Sequence, residues 1–493
     1  MHEVLKRAVH AYECGDWTVT ERLCESIVDT GADHSEAANL LASVYAQTSR
    51  LPRAAELLHR LVASDVANAV ARNNLGNVLH ELGQFDDALA CFDACVALRP
   101  AFAEAWNNRG TTLRALNRCD EALTSFETAL RITPGLADAQ YNRGVTFEGL
   151  GRWAEACAAF EGAIECDAQH SAAQFNLALC RLRCGDFKRG WEGYEWRWRC
   201  TPSAFVHAKP RWRGEPLAGK TILLHSEQGL GDTLQFCRYA ELISARGGRV
   251  VLAVFDPLAP LLEGLSGVAQ IIRYGRKLPA FDFHCPLLSL PGIFGTDLHT
   301  IPVRRPYLKA NAGRIAAWSA HLGVARRPRV GLVWSGNPNP QHENDHQRSI
   351  PLADLVRHLP AGVEYFSLQK ELRAADAAVL RSYPEIRHFG DALVSFSDTA
   401  ALCELMDVVI SVDTSVAHLV GALGRPVWIM LPFPADWRWL LERDDSPWYP
   451  SATLFRQHAT GGWKPVLQRV AAALAQRSAI PARTPHTRMA GCL

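Results

Sequence analysis

The chain has 493 residues, of which 48% are hydrophobic and 21% are charged. These proportions are typical of a globular protein of about three domains, and they exclude a largely disordered or collagen-like chain. A net charge of +1 provides no overall field for nucleic acid, so we expect no nucleic-acid partner.

The sequence also bears on location. The N-terminal residues are charged, and nowhere in the chain is an apolar run long enough to span a membrane, so we expect no membrane span. The 14 cysteines are scattered and form no C-x-x-C pair. This pattern indicates reduced thiols and a cytoplasmic location.

A period of 34 residues runs through residues 1–200. One column of the period is small, at Ala8, Ala42, Gly76, Gly110, Gly144 and Ala178. Another is mostly large and apolar, at Cys24, Leu58, Phe92, Phe126, Phe160 and Tyr194. The pattern resembles the tetratricopeptide repeat, a helix-turn-helix unit of about 34 residues. The resemblance implies about six repeats in an all-α superhelix, with these columns buried against the neighbouring repeat.

One asparagine per repeat precedes the small position by two residues, at Asn74, Asn108, Asn142 and Asn176. An asparagine offers both a donor and an acceptor, so this ladder is suited to hold the backbone of an extended peptide. The alternative is a hydrogen bond within its own repeat or a turn cap. The ladder resembles that of the O-linked N-acetylglucosamine transferases, which implies a protein or peptide acceptor. The first two repeats depart from it, with Lys6 and Leu40.

From residue 220 short apolar runs alternate with helical stretches, which predicts α/β domains with parallel sheets. We expect a joint at 201–219, a reduced Rossmann-like domain at 220–325, a second one at 326–477, and a disordered tail at 478–493. Ligands of such folds bind at the carboxyl ends of strands. We therefore expect a site in the crevice between the two domains.

The first predicted strand end carries Gly229, Gly231 and Asp232 and opens a helix. Glycines let a backbone approach a ligand closely, and a helix N-terminus favours a negatively charged group. The alternative for Asp232 is a simple helix N-cap.

Two further strand ends carry candidates for ligand binding. The second motif contains Ser335, Asn337 and Arg348, and the third contains Asp413, Thr414, Ser415 and His418 before a helix. The N–H groups of that helix are predicted to hold a diphosphate. Lys370, after a predicted strand at 363–368, is either a donor ligand or a solvated helix start. The aromatic segment 433–439 is either a core-lining loop or a surface for a base or acceptor.

Residues 229–232, 348–351 and 413–418 resemble the motifs of the heptosyltransferase-type glycosyltransferases, a GT-B family with two Rossmann-like domains that uses nucleotide-diphosphate sugars. The resemblance covers roughly residues 220–475. It implies that Asp232 is the general base, that Arg348 contacts phosphate where lysine is usual, and that the third motif holds diphosphate and sugar. The short first domain counts against a lipopolysaccharide acceptor.

We therefore expect an inverting glycosyltransferase whose overall layout is similar to that of the O-linked N-acetylglucosamine transferases. One carboxylate deprotonates the acceptor, while cations and helix dipoles stabilise the leaving diphosphate. Residues 444–445 form no D-x-D motif and the histidines lack ligand spacing, so we expect no metal and no cofactor besides the nucleotide-sugar substrate. The alternatives are a glycan or lipid-linked acceptor with the repeats recruiting partners, and an inactive adaptor.

Overall fold

The computed structural model describes residues 2–29, 34–201, 209–302, 306–336, 345–458 and 461–478. The candidate Asn337 and the predicted tail beyond residue 478 lie outside the described residues. The chain divides into two compact units, residues 1–177 and 178–493. In the described part of the chain, no helix combines the length and the apolar character needed to cross a membrane.

The first unit is a row of helix pairs, one pair for each of the first five predicted repeats, followed by the first helix of the sixth. Its helices are α1 (His2–Glu13), α2 (Trp17–Val28), α3 (Ser35–Gln47), α4 (Leu51–Ser64), α5 (Ala69–Glu81), α6 (Phe85–Leu98), α7 (Ala103–Ala115), α8 (Cys119–Ile132), α9 (Ala137–Gly149), α10 (Trp153–Cys166) and α11 (Ser171–Arg183), the last of which continues into the second unit. The predicted helical superhelix at the start of the chain is therefore confirmed.

The small column of the repeats lies against the large column of the same repeat. A Cβ atom added at Gly110 would lie 2.6 Å from the ring of Phe126, which is 0% exposed. The same contact recurs between Gly76 and Phe92 and between Gly144 and Phe160. Glycine is needed because the two helices of a repeat meet there. These columns therefore close each repeat on itself, and they also meet the neighbouring repeat as expected, since Phe126 shares a core cluster with Leu89 of the preceding repeat.

The second unit alternates strands with helices. Its elements are α12 (Phe187–Tyr194), α13 (Arg197–Cys200), β1 (Thr221–His225), α14 (Leu230–Phe236), α15 (Ala240–Ala245), β2 (Arg249–Val254), α16 (Ala259–Leu262), β3 (Val268–Arg273), β4 (Phe283–Pro286), α17 (Leu290–Ile293), α18 (Ala312–Leu322), β5 (Arg329–Val333), α19 (Asp345–Arg348), α20 (Leu352–Val356), β6 (Glu364–Ser367), α21 (Ala374–Ser382), β7 (Ile386–His388), α22 (Phe396–Glu404), β8 (Val408–Val412), α23 (Ser415–Ala422), β9 (Val427–Leu431), β10 (Ala452–Arg456) and α24 (Lys464–Ser478).

The described strands form two parallel sheets, as predicted. The first has the order β3-β2-β1-β4 and the second β10-β9-β8-β5-β6-β7. Counted from its own first strand, the second sheet has the order 3-2-1-4-5-6 of a doubly wound α/β fold, and the first sheet has the beginning of that order. The order reverses between β1 and β4 and between β5 and β8. Ligand sites are therefore expected beyond the carboxyl ends of these strands.

The strands at the second reversal point are fully covered. Every residue of β5 and of β8 is buried, as expected for parallel strands with helices on both faces. Helix α24 packs Val466, Leu467 and Val470 into the core cluster of this sheet. The motifs that follow β5 and β8 thus project from a rigid, apolar support.

Two boundaries differ from those predicted. The division between the units lies at residues 177 and 178, because α12 packs in the α/β unit, where the Trp191 ring meets Trp437 at 5.3 Å between centroids. Helix α18 packs with elements of the second domain, since Arg314 pairs with Asp398 on α22 and Arg387 on β7 donates a hydrogen bond to the carbonyl of Leu322. The second α/β domain therefore includes the helix that the sequence placed in the first.

Candidate functional site

The carboxyl ends of β1 and β8 lead to one place through Gly231. A Cβ atom added there would lie 2.7 Å from Cδ2 of His418 and 3.5 Å from Cα of Ser415. Helices α14 and α23 therefore begin side by side, and a larger residue at this position would separate them. The structure thus brings the first and third predicted motifs together.

Asp232 is held from two sides. One carboxylate oxygen accepts a hydrogen bond of 2.8 Å from the backbone N–H of Gly229, the N-cap residue of α14. The other oxygen forms an ion pair with Arg438. Burial raises the pKa of Asp232, and the charge of Arg438 opposes that shift. The carboxylate of Asp232 therefore already faces the N-terminus of its own helix, and binding of an external anion there stays a prediction.

Arg438 is a site residue that the sequence analysis missed. Besides Asp232, its guanidinium donates to Asp436 at 3.0 Å and to Oε1 of Gln235 at 2.8 Å, and it lies 4.5 Å over the ring of Trp437. The side chain of Arg438 is only 9% exposed. The amide nitrogen of Gln235 is buried and has no hydrogen-bond partner among the described residues. The sequence signal for it is an arginine between two tryptophans at 437–439, but the prediction for this segment considered only its aromatic rings.

Asp413, directly after β8, joins three parts of the site. Its Oδ2 atom accepts a hydrogen bond of 2.9 Å from Nε1 of Trp439, and its Oδ1 atom lies 3.9 Å from Nε2 of His418. Its backbone carbonyl accepts from Arg348 at 3.3 Å. Burial and the neighbouring charge of Asp436 raise the pKa of Asp413 to about 6. The predicted pairing of the second and third motifs is therefore present.

Among the described residues, the N-terminus of α23 lacks a carboxylate such as that of Asp232, which accepts a hydrogen bond at the N-terminus of α14. Thr414 is the N-cap residue, yet none of the described side chains caps the helix. The Thr414 hydroxyl lies 3.2 Å from that of Ser411 instead, and Thr414 and Ser415 are half-buried. Uncapped N–H groups at a helix N-terminus favour a negatively charged group.

The second motif is anchored around Arg348. Its Nε atom donates to Asp345 at 3.1 Å, and the side chain is 34% exposed. Ser335 is buried, and its carbonyl accepts a hydrogen bond of 3.0 Å from Gln369. Lys370 is exposed in the loop after β6. The structure does not bring Lys370 to the other candidates, because Gln369 is the residue of this pair that turns inward.

His418 is not placed as a donor ligand. It is 6% exposed, its Nδ1 atom lies 2.9 Å from the Tyr449 hydroxyl, and its ring stacks on Trp439. Burial lowers the pKa of His418 to about 3, so the ring is neutral at neutral pH. The predicted role in binding is corrected to one in packing, because Gly231 leaves room for the ring between α14 and α23.

The ladder asparagines bridge neighbouring repeats. The Nδ2 atoms of Asn74, Asn108 and Asn142 lie 3.0, 3.1 and 3.0 Å from Oδ1 of Asn39, Asn73 and Asn107, and that of Asn176 lies 3.3 Å from the Tyr141 hydroxyl. Each partner stands one position before the ladder column, in the preceding repeat. This bridge is neither of the two roles considered from the sequence. Its signal was the doubled asparagine at 73–74 and 107–108.

The titrations of Asp413 and His418 are expected to have opposite effects on the free energy of unfolding as pH falls. The lowered pKa of His418 costs stability as pH falls from 6.5 toward 3. The raised pKa of Asp413 adds stability as pH falls from about 6 to 3.8, and this contribution is lost as pH rises through 6.

Asp413→Asn keeps an acceptor for the hydrogen bond from Trp439, but it removes the stability that protonation of Asp413 adds in acid. On acidification from about pH 7.5 to 4.5, we expect the free energy of unfolding to fall by about 2 kcal/mol more in the variant than in the parent. Urea unfolding at the two pH values measures this difference, with Asp445→Asn as the control, since that carboxylate is 71% exposed. Equal pH dependence in parent and Asp413→Asn would show that Asp413 titrates normally.

Three comparisons with known proteins found similarity to parts of this chain. The tetratricopeptide-repeat family profile matches residues 73–137, 110–171 and 141–190. Protein FlbA of Caulobacter vibrioides is 29% identical over 323 residues, which cover 60% of this chain and 54% of FlbA. The chain thus spans about half the length of this curated relative.

Two solved structures are also similar to part of the chain. MamA from Desulfovibrio magneticus RS-1 is 20% identical, with a TM-score of 0.31, over 35% of this chain and 99% of that chain. A thermophilic TPR protein of Thermus thermophilus is 20% identical, with a TM-score of 0.34, over 37% and 98%. Together with the family profile, the helix pairs identify residues 73–190 as tetratricopeptide repeats.

Proposed function

We propose that this chain is a glycosyltransferase with a GT-B catalytic unit, which moves a sugar from a nucleotide-diphosphate sugar to a protein acceptor. The contact of Gly231 with α23 carries this proposal, because it places Asp232 beside the uncapped start of that helix. The likeness of the three motifs to those of the heptosyltransferases supports the reaction type. Tetratricopeptide repeats are a protein-interaction module, which supports a protein acceptor.

The site residues suit an inverting transfer. The diphosphate lies at the start of α23, beside Thr414 and Ser415, where the helix dipole and Arg348 stabilise its charge. Asp232 takes the proton from the acceptor hydroxyl, whose oxygen forms a bond to the anomeric carbon. The bond from that carbon to the phosphate oxygen breaks, and the nucleoside diphosphate leaves with the electron pair. The proton remains on Asp232 until solvent removes it.

Metal independence is part of the proposal. The arginine side chains of the site supply positive charge that a divalent ion would supply in other transferases. Within the described ranges, no three or more His, Cys, Asp or Glu side chains form a group able to hold a metal ion. The experiment that tests the donor site is therefore done in a chelator.

Nucleoside diphosphates are expected to raise the melting temperature of the full chain in EDTA. A hundredfold excess over the dissociation constant corresponds to about 2.7 kcal/mol of stabilisation. Arg348→Gln should remove most of the shift, because a charge-assisted contact to phosphate is lost. Arg357→Gln is the matched control, since that arginine is 70% exposed and pairs only with Asp354 among the described residues. If ADP, GDP, CDP, UDP and dTDP all fail to shift the parent, the donor site is wrongly assigned.

The role of the ladder is separable from its bridges. Asn108→Ala and Asn73→Ala remove the same hydrogen bond, so each should destabilise the repeats by about 0.5–1.5 kcal/mol. Only Asn108→Ala removes a ladder side chain, so only it should weaken binding of a protein acceptor, by about threefold to tenfold. Calorimetric titration with acceptor and thermal unfolding measure the two effects. Equal acceptor affinity in both variants would make the ladder purely structural.

Transfer assays distinguish the alternatives. A protein-modifying enzyme with all four ladder asparagines replaced should lose transfer to protein but keep slow hydrolysis of the nucleotide sugar. An enzyme with a glycan or lipid-linked acceptor should keep transfer to that acceptor in a purified assay. An inactive adaptor should show neither transfer nor hydrolysis in the parent chain.

A further inference from the structure

Arg438 is surrounded by more negative charge than its single positive charge balances. It holds Asp232 and Asp436 at once, while its Nε atom donates to Gln235. It also lies over the rings of Trp437 and Phe236, at 4.5 and 5.7 Å from their centroids. A planar guanidinium with this fork of donors recognises phosphate as well as carboxylate.

Residues next to Arg438 and to its partner Asp232 contact the proposed diphosphate position. Trp439, the next residue, donates to the carboxylate of Asp413 at 2.9 Å. Gly231, which precedes the Arg438 partner Asp232, lies against Ser415 at the start of α23. Arg438 is therefore beside the same helix start as Arg348, on the side of the first sheet.

The charges at this place favour an exchange of partners. Arg348 is already engaged by Asp345 and by the carbonyl of Asp413. A diphosphate brings at least two negative charges next to the carboxylates of Asp232 and Asp413, and a nearby cation must compensate them. Arg438 is such a cation, and the unpartnered amide nitrogen of Gln235 beside it is a further donor for a phosphate oxygen.

A second buried arginine, Arg238, is bound by groups other than carboxylates. Arg238 donates to the hydroxyl of Tyr307 at 2.8 Å and to the carbonyl of Trp448 at 3.0 Å. It also packs over the ring of Tyr449. None of its described hydrogen-bond partners is a carboxylate, so an arriving phosphate would find no like-charged group to replace. This contrast singles out Arg438.

We propose that Arg438 binds the diphosphate of the donor, and that Asp232 pairs with its guanidinium as long as no nucleotide is bound. When a nucleoside diphosphate binds, the arm of the guanidinium that pairs with Asp232 turns to a phosphate oxygen, while the arm on Asp436 keeps the side chain in place. The carboxylate of Asp232 is then unpaired and able to accept a proton from the acceptor. This inference rests on the proposed function, and it makes donor binding the event that prepares the base.

Equilibrium binding tests the exchange without any need for turnover. The panel of ADP, GDP, CDP, UDP and dTDP is titrated into the full chain in EDTA, and the tightest binder is carried forward. Asp232→Asn removes the competitor for Arg438, so it should bind that nucleotide roughly tenfold more tightly than the parent. Arg438→Gln should bind it roughly tenfold to hundredfold more weakly. The double variant should show no gain over Arg438→Gln.

Controls separate the exchange from damage to the fold. Glu364→Gln also removes a carboxylate paired with a buried arginine, Arg329, but at the amino end of β6, and it should leave nucleotide affinity unchanged. If Arg438→Gln does not fold, Arg438→Lys takes its place, and the gain from Asp232→Asn should shrink in that background. A gain in affinity on removing a buried charge is not a consequence of structural damage.

The possible outcomes are distinct. If no nucleotide binds the parent chain, the proposed function and this inference both fail. If the parent binds and Asp232→Asn has the affinity of the parent, the exchange is overturned while the donor site stands. If Asp232→Asn gains equally with and without Arg438, the gain is a general charge effect and the inference also fails.

Discussion

Asp232→Asn is expected to lower the rate of sugar transfer by roughly 10² to 10⁴ without loss of nucleotide affinity. The amide still accepts the hydrogen bond from the N–H of Gly229, so the start of α14 keeps its cap. What the variant lacks is a group that takes the proton from the acceptor hydroxyl. Single-turnover transfer and hydrolysis of the nucleotide sugar, measured side by side, report the chemical step.

The matched control is Asp445→Asn. This carboxylate also pairs with an arginine, Arg443, but it is exposed. It should leave the rate within a factor of about two, as a surface pair contributes little. Near-parental turnover in Asp232→Asn would mean that the residue serves only as a helix cap and an ion-pair partner. The base would then have to be sought among the other carboxylates of the site.

Phe126→Ala is expected to lower the stability of the repeats by about 3–5 kcal/mol. The ring is 0% exposed and belongs to a cluster with Leu89, Leu113 and Ala122. Gly110 faces the ring without a side chain, so it cannot fill the space that truncation leaves. Urea unfolding followed by circular dichroism measures the loss, and hydrogen exchange in α7 and α8 locates it.

A second substitution at Gly110 tests the geometry directly. In the parent, Gly110→Ala should destabilise the repeats, because the added Cβ would lie 2.6 Å from the ring of Phe126. In the Phe126→Ala background the same change should be stabilising, since the clash is gone and alanine is the better helix former by about 1 kcal/mol. Leu98→Ala, 46% exposed, is the control. An effect of the same sign in both backgrounds would contradict the described contact.

The repeats were predictable because their signals are periodic and local. A glycine at one position and a phenylalanine 16 residues later report a contact inside one helix pair, and they do so in three consecutive repeats. Periodicity gave the spacing of these contacts but not that the glycine and the phenylalanine of one repeat face each other. The asparagine bridges show the same limit, since their partners stand 35 residues apart.

The site was predictable only where motifs follow strands. Gly231, Asp413 and Arg348 were found because polar and glycine residues at strand ends converge in parallel α/β folds. Arg438 was not, because its partner Asp232 lies 206 residues away and nothing local marks a long-range ion pair. His418 was misassigned for a related reason. Burial beneath Trp439 and Tyr449 depends on packing between distant segments, which a motif does not report.

The contacts of α12 limit where this chain can be cut without damage to the α/β unit. Trp191 on α12 packs on Trp437 and against Gly292, and Arg197 pairs with Glu227 in the loop that carries the first motif. A fragment cut near residue 200 would strip these aromatic and charged partners from the α/β unit, whereas one that begins at Ser171 keeps α11 whole. An isolated α/β unit is therefore better prepared from residue 171 than from residue 200, because it keeps the partners of Trp437 and Glu227.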